Sequence, residues 1–331
     1  MQRKIIKHGV ATILTVLAIS AAGSSALAGG FLDIQFDDSG VYFVTPTIIN
    51  NPYWPLRPDE DYTWVFTYIG ETEDECVIDQ VVANHPDYAD TYTLTTMDTD
   101  SPYYDFETAQ VVDTEWVFED LPDGTECSLA LLESDDADDA IQELTFDWYA
   151  QDYQLNIWYM GEASRDFGDA EIDGEEVECP SLEDVGLDVL RENWPSDELF
   201  LECTGGSWEA GLPGQEEGEI IGQAGIVVPG DFPRIGEPLT PGTYYMQEVA
   251  EGAEDMAKIL RLNAPLSVED GIDPGEYDVC RKVKEWNPFE HGQSVEHKWY
   301  CLGGNGLVLI QGIGGGPTES EVLVDITMTS D

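Results

Sequence analysis

The stretch "DVCRKVKEWNPFEHGQSVEHKWYC", residues 278–301, decides the fold class because it has the pattern of two strands around a turn. Its centre, "NPFEHGQS", carries Asn, Pro and Gly, which favour turns, between two runs rich in Val, Trp and Tyr. A turn there places Cys280 opposite Cys301 and Lys284 opposite His297. Cross-strand neighbours have Cβ atoms about 4.5–5.5 Å apart, close to disulfide geometry. The stretch therefore predicts a β-hairpin closed by a disulfide between Cys280 and Cys301.

The same pattern of short aromatic or alternating runs, bounded by Gly, Pro, Asp and Asn, recurs along the chain. It predicts a mainly β fold, an antiparallel curved sheet (or sheets) or half-barrel. Two similar β-meanders are expected as its halves, because a cysteine precedes a Trp-Tyr strand both at Cys127 and Trp148 and at Cys280 and Trp299. The predicted strands outside the hairpin are 63–70, 92–97, 114–121, 126–133, 144–152, 155–162, 242–250, 257–263, 306–312 and 321–328.

One segment has helical spacing. "SLEDVGLDVLRENW", 181–194, begins with Ser181 as an N-cap and places apolar residues on one stripe. Because Cys179 and Cys203 flank it, we expect an insertion at 179–203 that carries one short helix. Gly- and Glu-rich residues 211–225 predict a surface loop. A single β-rich domain is expected over 29–312, followed by a Gly-rich turn and closing strand at 313–331.

The N-terminus has the features of a signal peptide. Arg3, Lys4 and Lys7 precede the apolar run "VATILTVLAISAA", and "ALA" before Gly29 predicts cleavage after Ala28. The mature protein is then secreted, extracellular or periplasmic. Six cysteines without a C-x-x-C pair favour three disulfides over metal ligation in such a chain.

The acid excess excludes some partners. The chain has 13 basic and 68 acidic residues, a net charge of −55; residues 1–28 hold three of the basic and none of the acidic ones, leaving −58. Nucleic acid and anionic membranes would be repelled, because their phosphates need Lys and Arg. Two explanations stay open: adaptation to high salt, where the Debye length is about 3 Å at 1 M, and neutralisation by bound cations such as Ca²⁺. We favour salt adaptation, with cation binding as an addition to it.

Enzymatic motifs are missing from the sequence. There is no G-x-S-x-G, P-loop or G-x-G-x-x-G pattern after a strand. His85, His291 and His297 lack the spacing that would bring them to one zinc ion. No catalytic residue is therefore assigned and no cofactor is certain. The acid-dense turn "DTDSPYYD" is the candidate Ca²⁺ site, with Asp98, Asp100 and Asp105 as ligands.

Several patches together resemble an uncharacterised family of exported bacterial β-proteins. They are "NNPYWPLRP…YTWVFTYIGETED" (50–74), "FDWYAQDYQLNIWYMGE" (146–162), "SWEAGLPG" (207–214), "YYMQEVAEGAEDMAKIL" (244–260) and "VCRKVKEWNPFEHG…EHKWYCLGGNGLVL" (279–309). The family motifs are of the N-P-Y-x-P-L, D-W-Y-A-Q-D and G-x-G-L-V type, and they bring no established activity. A more distant likeness is to lipoprotein-carrier-like curved sheets, in which a concave face can hold an apolar ligand.

The chain departs from the family pattern at the 179–203 insertion. That departure supports pairing Cys179 with Cys203, which leaves Cys76 paired with Cys127. In the chain-entropy description each such disulfide stabilises by roughly 3–4 kcal/mol.

The predicted function is that of an exported non-catalytic protein. It would bind an apolar or amphipathic ligand, or a cell-envelope partner, on a concave aromatic-lined sheet. The alternatives are a carbohydrate-active hydrolase that uses paired carboxylates and a Ca²⁺-stabilised extracellular structural module. The candidate ligand-binding residues are Trp64, Trp148, Tyr149, Trp158 and Trp299.

Overall fold

A computed structural model provides the coordinates of the chain. The structure describes residues 30–34, 49–55, 62–69, 76–82, 111–118, 140–172, 175–180, 203, 208–210, 222–250, 255–268, 275–288, 295–302, 306–313 and 320–328, together with Leu121, Thr125, Ser128 and Leu131. The predicted signal peptide 1–28, the predicted helix in 181–194, the turn with Asp98, Asp100 and Asp105, and Cys127 lie outside these residues.

Sixteen strands make up the secondary structure of the described residues, which contain no α-helix. No helix in this part of the chain is long and apolar enough to cross a membrane. The strands are β1 (Tyr62–Ile69), β2 (Cys76–Val82), β3 (Val111–Phe118), β4 (Ile141–Gln151), β5 (Ile157–Asp166), β6 (Asp169–Ile172), β7 (Glu175–Glu178), β8 (Trp208–Glu209), β9 (Gly222–Val228), β10 (Tyr244–Met246), β11 (Glu248–Ala250), β12 (Met256–Val268), β13 (Gly275–Trp286), β14 (Val295–Cys301), β15 (Gly306–Gly312) and β16 (Ser320–Met328).

Fourteen strands form one antiparallel sheet, with β6 and β7 as a separate hairpin. The order is β10-β12-β13-β14-β15-β16-β1-β2-β3-β4-β5-β9-β11, and β8 pairs with β5. Strands β1 to β5 form one meander and β12 to β15 the other, and β16 pairs with both β1 and β15. The prediction of a mainly β, antiparallel fold with two meanders is confirmed, and of the two arrangements left open the structure has both meanders in one sheet.

The two ends of the sheet are close in sequence. Only Gln247 separates β10 at one end of the order from β11 at the other. The sheet therefore curls, and its ends meet near Gly225 on β9. A Cβ built on Gly225 would lie 2.1 Å from the carbonyl oxygen of Gln247, so only glycine permits this approach.

The hairpin predicted from residues 278–301 has the expected register. Cys280 pairs with Cys301 and Lys284 with His297 along β13 and β14. The Cys280–Cys301 disulfide is present, and so is the bond between Cys179 and Cys203. Cys76 is also disulfide-bonded, and the pairing with Cys127 stays a prediction.

Two predicted segments differ from the structure. The stretch 126–133 is not a strand at Ser128 and Leu131, where the amide of Leu131 donates to the carbonyl of Ser128 in a turn. The predicted loop 211–225 ends in a strand, since β9 starts at Gly222. In both places short apolar runs carry too little periodicity to separate strand from turn.

The apolar core of the first meander lies on one face of β4 and β5. Leu144 and Ala150 on β4 are buried with Trp158 on β5. Successive side chains of a strand point to opposite faces, so Glu143, Thr145, Asp147 and Tyr149 lie on the other face. That second face encloses the cavity described next.

Candidate functional site

A cavity of about 240 Å³ lies inside the curled sheet. Strands from both meanders line it, β4 and β5 on one side and β13, β14 and β15 on the other. Its acidic lining consists of seven carboxylic residues, Glu115, Glu143, Asp147, Glu162, Glu248, Asp255 and Glu285. Lys298 is the one basic residue of this lining. Its other walls are formed by Trp54, Val77, Thr145, Tyr149, Tyr159, Val227, Gln247, Tyr300, Leu307 and Ile310.

Two of the carboxyl groups contact the hydroxyl of the same tyrosine. Asp147 and Glu162 lie opposite each other on β4 and β5, and each has an oxygen 2.5 Å from the hydroxyl of Tyr159. A phenol has one proton to donate, so it satisfies one of these two short contacts. The other contact needs a protonated carboxyl that donates to the phenol oxygen. Asp147, Tyr159 and Glu162, here called the acid pair with its bridging tyrosine, therefore hold one extra proton.

The pKa values of this pair agree with the proton count. Burial raises the pKa of Asp147 to about 7, although hydrogen bonds from Tyr159 and Tyr149 oppose the shift. Burial and the charge of Asp147 raise the pKa of Glu162 to about 8. The pKa of Glu248 is raised as well, because this carboxyl group is buried close to Glu162 and Asp255. Repulsion between carboxylates in a low-dielectric interior explains the common direction.

Neighbouring rings hold the bridging tyrosine in place. The Tyr159 ring stacks on Tyr149 at 5.1 Å and meets Trp208 edge-on at 5.3 Å between ring centroids. Such pairs add about 0.5–1.5 kcal/mol beyond the burial of their area. The phenol oxygen is therefore fixed with respect to both carboxyl groups.

A second acid on β4 is satisfied by hydroxyl groups. Glu143 accepts hydrogen bonds from Thr145 at 2.6 Å and from Ser164 at 2.7 Å. The two hydroxyl oxygens lie 2.9 Å apart. Glu143 is thus held as an acceptor next to the acid pair.

The opposite wall carries the cavity's ammonium group. Lys298 on β14 lies 2.9 Å from Glu285 on β13 and 3.8 Å from Glu296. Glu285 also accepts hydrogen bonds from Gln247 at 3.0 Å and from Tyr300 at 3.4 Å. Burial lowers the pKa of Lys298, but the attraction of Glu285 and Glu296 outweighs it and the pKa is raised. Lys298 is therefore charged and committed to Glu285.

The segment "NNPYWP" closes one end of the cavity. Its Trp54 ring lies 4.9 Å from Tyr149 and 5.9 Å from Tyr300, so it touches both meanders. Asn51 anchors the segment by donating to the carbonyl of Leu155 at 2.7 Å. Beside Trp54, the Tyr53 ring packs 3.8 Å from the guanidinium of the buried Arg281.

Of the predicted aromatic residues, Trp158 and Trp299 do not line the cavity with Tyr149. Tyr149 lines the cavity. Trp158 is fully buried on the other face of β5 and donates to Asp152 at 3.0 Å, and Trp299 packs under Lys282 on the outer face of β14. Trp64 lies on β1 and Trp148 on β4.

Sequence reasoning missed the acid pair, since with 68 acids no pair stood out. A signal existed in "ELTFDWYAQ", where acidic or polar positions alternate with apolar ones. In antiparallel sheets such a polar face usually meets solvent rather than an interior.

Among the described residues, no group of three His, Cys, Asp or Glu side chains is arranged to hold a metal ion. Four of the cavity carboxyl groups, those of Glu143, Asp147, Glu162 and Glu285, instead contact hydroxyl, amide or ammonium groups. The predicted Ca²⁺ site at Asp98, Asp100 and Asp105 lies outside the residues that the structure describes.

No family model and no curated protein matches the chain. Among solved structures, it is similar to a protein of Bacteroides fragilis described as exported with a YmcC-like fold, at 11% identity and a TM-score of 0.37, over 84% of this chain and 100% of that one. A protein of Parabacteroides distasonis described as a lipoprotein is similar at 9% identity and a TM-score of 0.31, over 84% and 99%. At such low TM-scores neither likeness supports an inference about function.

Proposed function

We propose that this chain is an exported binding protein whose interior cavity takes a small amphipathic organic cation. The observation that carries the proposal is the imbalance of charge in the cavity: seven carboxylic residues face one ammonium group in about 240 Å³. Export is supported by the signal-like N-terminus and by the disulfides, which persist in oxidising compartments.

The electrostatics favour a positively charged guest. Burial and mutual repulsion raise the pKa values of Asp147, Glu162 and Glu248, because they disfavour the charged forms of these carboxyl groups. A cation in the cavity would supply the missing opposite charge and lower these pKa values. Binding would therefore release protons near neutral pH, as any ligand does that requires the deprotonated form.

The shape and the apolar part of the lining favour an organic cation. Pockets for drug-sized ligands have about 300–1,000 Å³, so this cavity suits a smaller molecule. Val77, Val227, Leu307 and Ile310 offer contacts to aliphatic groups. Trp54 offers an aromatic face, on which cations bind. The predicted amphipathic ligand fits this lining, with the addition that its polar end is positive.

The remaining acid excess is assigned to salt adaptation. Seven of the 68 acidic residues line the cavity, so a ligand there leaves most of the charge uncompensated. Screening by concentrated salt acts on all surface charges together. The family resemblance and a cell-envelope partner stay predictions.

The test is calorimetric titration of the secreted protein with 1,4-diaminobutane, and with 1,4-butanediol as the uncharged analogue of the same length. Repeating the titration in two buffers of different ionisation heat gives the number of protons released. We expect the diamine to bind at pH 7.5 with release of protons and the diol not to bind. Glu162→Gln should weaken binding about tenfold, since a charged contact contributes about 1.5–3 kcal/mol.

Glu237→Gln serves as the matched control, because Glu237 is exposed and 3.9 Å from Arg234 outside the cavity. An equal loss in both variants, or equal binding of the diol, would contradict the proposal. So would diamine binding without proton release.

A glycoside hydrolase is the second candidate, and one distance favours it. The two 2.5 Å contacts to Tyr159 limit the separation of the carboxyl oxygens of Asp147 and Glu162 to about 5 Å. Retaining glycosidases hold their two carboxyl groups about 5–5.5 Å apart, with one of them protonated at neutral pH. Glu162, whose pKa is about 8, would be the acid.

Aryl glycosides test this candidate. Turnover that falls at least about 100-fold in Glu162→Gln and in Asp147→Asn would establish the hydrolase, given that general acid–base groups contribute about 10²–10⁴-fold. Absence of turnover over a panel of sugars, together with diamine binding, would leave the binding protein.

A further inference from the structure

The outer face of the second meander carries a concentration of positive charge. After residues 1–28 the chain has only ten basic residues, and four of them lie on this face of β12 and β13. They are Lys258, Arg261, Lys282 and Lys284. This face lies on the opposite side of the sheet from Glu285 and Lys298, which point into the cavity.

Five residues of this face lie opposite one another in turn across five neighbouring strands. Tyr244 pairs with Lys258, Lys258 with Lys284, Lys284 with His297 and His297 with Gln311. Directly paired residues of antiparallel strands share a face. With strands about 4.8 Å apart, the four steps span roughly 19 Å. All five side chains are at least partly exposed. This set, together with the neighbouring cross-strand pair Arg261 and Lys282, is called the cationic row below.

The arrangement places like charges opposite each other. Lys258 is the cross-strand neighbour of Lys284, and Arg261 is that of Lys282. Like charges in such positions are destabilising. Among the described residues, no carboxylate lies within ion-pair distance of these four cations. In a chain of net charge −55 such a concentration is not a consequence of composition.

The lysines are also held in defined positions. The ammonium of Lys282 lies 4.0 Å from the centre of the Trp299 ring, and that of Lys284 lies 5.0 Å from the Trp286 ring. Partial burial and the charge of Arg261 lower the pKa of Lys282. The pKa of His297 is lowered by partial burial and by Lys282 and Lys284. Both lysine ammonium groups are therefore held on this face beside aromatic rings.

We propose that the cationic row binds an extended anionic glycan that carries carboxylate or sulfate groups. The extent of the row, roughly 19 Å across five strands, fits an extended chain rather than a compact anion. A thin, flexible chain can touch this face without approaching the acidic remainder of the protein, whereas a membrane or a nucleic-acid duplex cannot. Exposed Tyr244 and half-exposed Trp286 offer aromatic faces on which the C–H groups of sugar rings pack.

The experiment is a calorimetric titration of the full protein with hexagalacturonate, in a buffer whose salt keeps the near-ultraviolet circular dichroism native. Maltohexaose is the neutral probe, trigalacturonate the short one and hexaglutamate the acidic peptide. We expect hexagalacturonate to bind more tightly than all three. The variant Lys284→Gln should weaken its binding about tenfold or more, as expected for the loss of a charged hydrogen bond.

Arg234→Gln is the matched control, because Arg234 lies outside the row and removal of its charge changes the net charge equally. It should leave hexagalacturonate binding within about twofold. Thermal unfolding of Lys284→Gln should occur at the same or a higher temperature, since the substitution relieves a like-charge pair.

Four results would overturn the proposal. Maltohexaose or trigalacturonate could bind as tightly as hexagalacturonate, or hexaglutamate could bind more tightly than it. The fourth result is that Arg234→Gln weakens hexagalacturonate binding as much as Lys284→Gln does. A concentration-dependent dimer that Lys284→Gln abolishes would assign the face to contacts between copies and would also overturn it. Because the cavity lies on the other side of the sheet, Glu162→Gln should not affect this binding, which separates the two proposals.

Discussion

Asp147 and Glu162 lie directly opposite each other on β4 and β5 and both contact the hydroxyl of Tyr159. Two ionised carboxylates in this position would repel each other strongly in a protein interior. A retained proton removes the repulsion and completes the second hydrogen bond. The pair is therefore a proton-binding unit at neutral pH, and several measurable properties follow from it.

The stability of the protein should fall as the pH rises from about 5 to about 9. The pKa values of Asp147, about 7, and Glu162, about 8, exceed their ordinary values of 3.8 and 4.5. Between the ordinary and the raised pKa values the folded state binds more protons than the unfolded state, so the free energy of unfolding decreases with pH. The stabilisation is complete below about pH 4 and is lost as the pH rises through the folded pKa values of about 7 and 8, up to about pH 9. Denaturant unfolding at several pH values measures it, and a loss of a few kcal/mol is expected.

Glu162→Gln should flatten this dependence. Glutamine resembles the protonated carboxyl in shape and does not titrate, so the variant should be more stable than the parent at pH 9. The exposed Glu237→Gln should leave the slope unchanged. A parental slope in Glu162→Gln would show that other groups cause the pH dependence.

Removal of the cavity's ammonium group should be strongly destabilising. In Lys298→Met the buried Glu285 loses its ion pair at 2.9 Å, and breaking such a pair from one side costs about 3–5 kcal/mol. The double variant Lys298→Met, Glu285→Gln should recover part of this loss, because no unpaired charge is left. Urea unfolding at pH 7 compares the three proteins, and a double variant no more stable than the single one would contradict the argument.

The hairpin could be predicted in full because its determinants are local. The register of β13 and β14 follows from a turn of fixed length and from two cysteines that must meet. The position of β16 between β15 and β1 could not be predicted in this way. It depends on the pairing of Ser320–Met328 with a strand more than 250 residues earlier in the chain, for which the sequence holds no local signal.

The acid pair was missed for a different physical reason. On β4 the residues Leu144 and Ala150 alternate with Glu143 and Asp147, a pattern that in antiparallel sheets usually means one buried and one solvated face. Here the polar face is enclosed because the sheet curls until β9 meets the segment around Gln247. Curvature is a property of the whole sheet, and no single strand encodes it.

Gly225→Ala should disrupt the meeting of the sheet ends. Its Cβ would lie 2.1 Å from the carbonyl oxygen and 2.4 Å from the carbonyl carbon of Gln247, and backbone atoms cannot yield as a side chain could. Overpacking of this kind costs typically 1–3 kcal/mol or more. Gly30→Ala, whose Cβ would meet nothing within 4 Å, is the control. Thermal unfolding should occur at a lower temperature in Gly225→Ala than in Gly30→Ala. Equal unfolding temperatures would mean that the close approach of the sheet ends does not contribute to stability.

The response to salt should separate the two explanations of the acid excess. At 0.01 M salt the Debye length is about 30 Å and at 1 M about 3 Å, so a chain of net charge −55 repels itself far more strongly in dilute buffer. If screening is the cause, the unfolding temperature should rise steadily with NaCl up to molar concentrations. CaCl₂ at the same ionic strength should then give a similar rise.

If Ca²⁺ sites are the cause, millimolar CaCl₂ should give the full rise in unfolding temperature and NaCl little, and chelation should reverse it. Under salt adaptation Asp98→Asn should leave the NaCl curve unchanged, whereas a variant that loses the response to CaCl₂ would establish the predicted Ca²⁺ site.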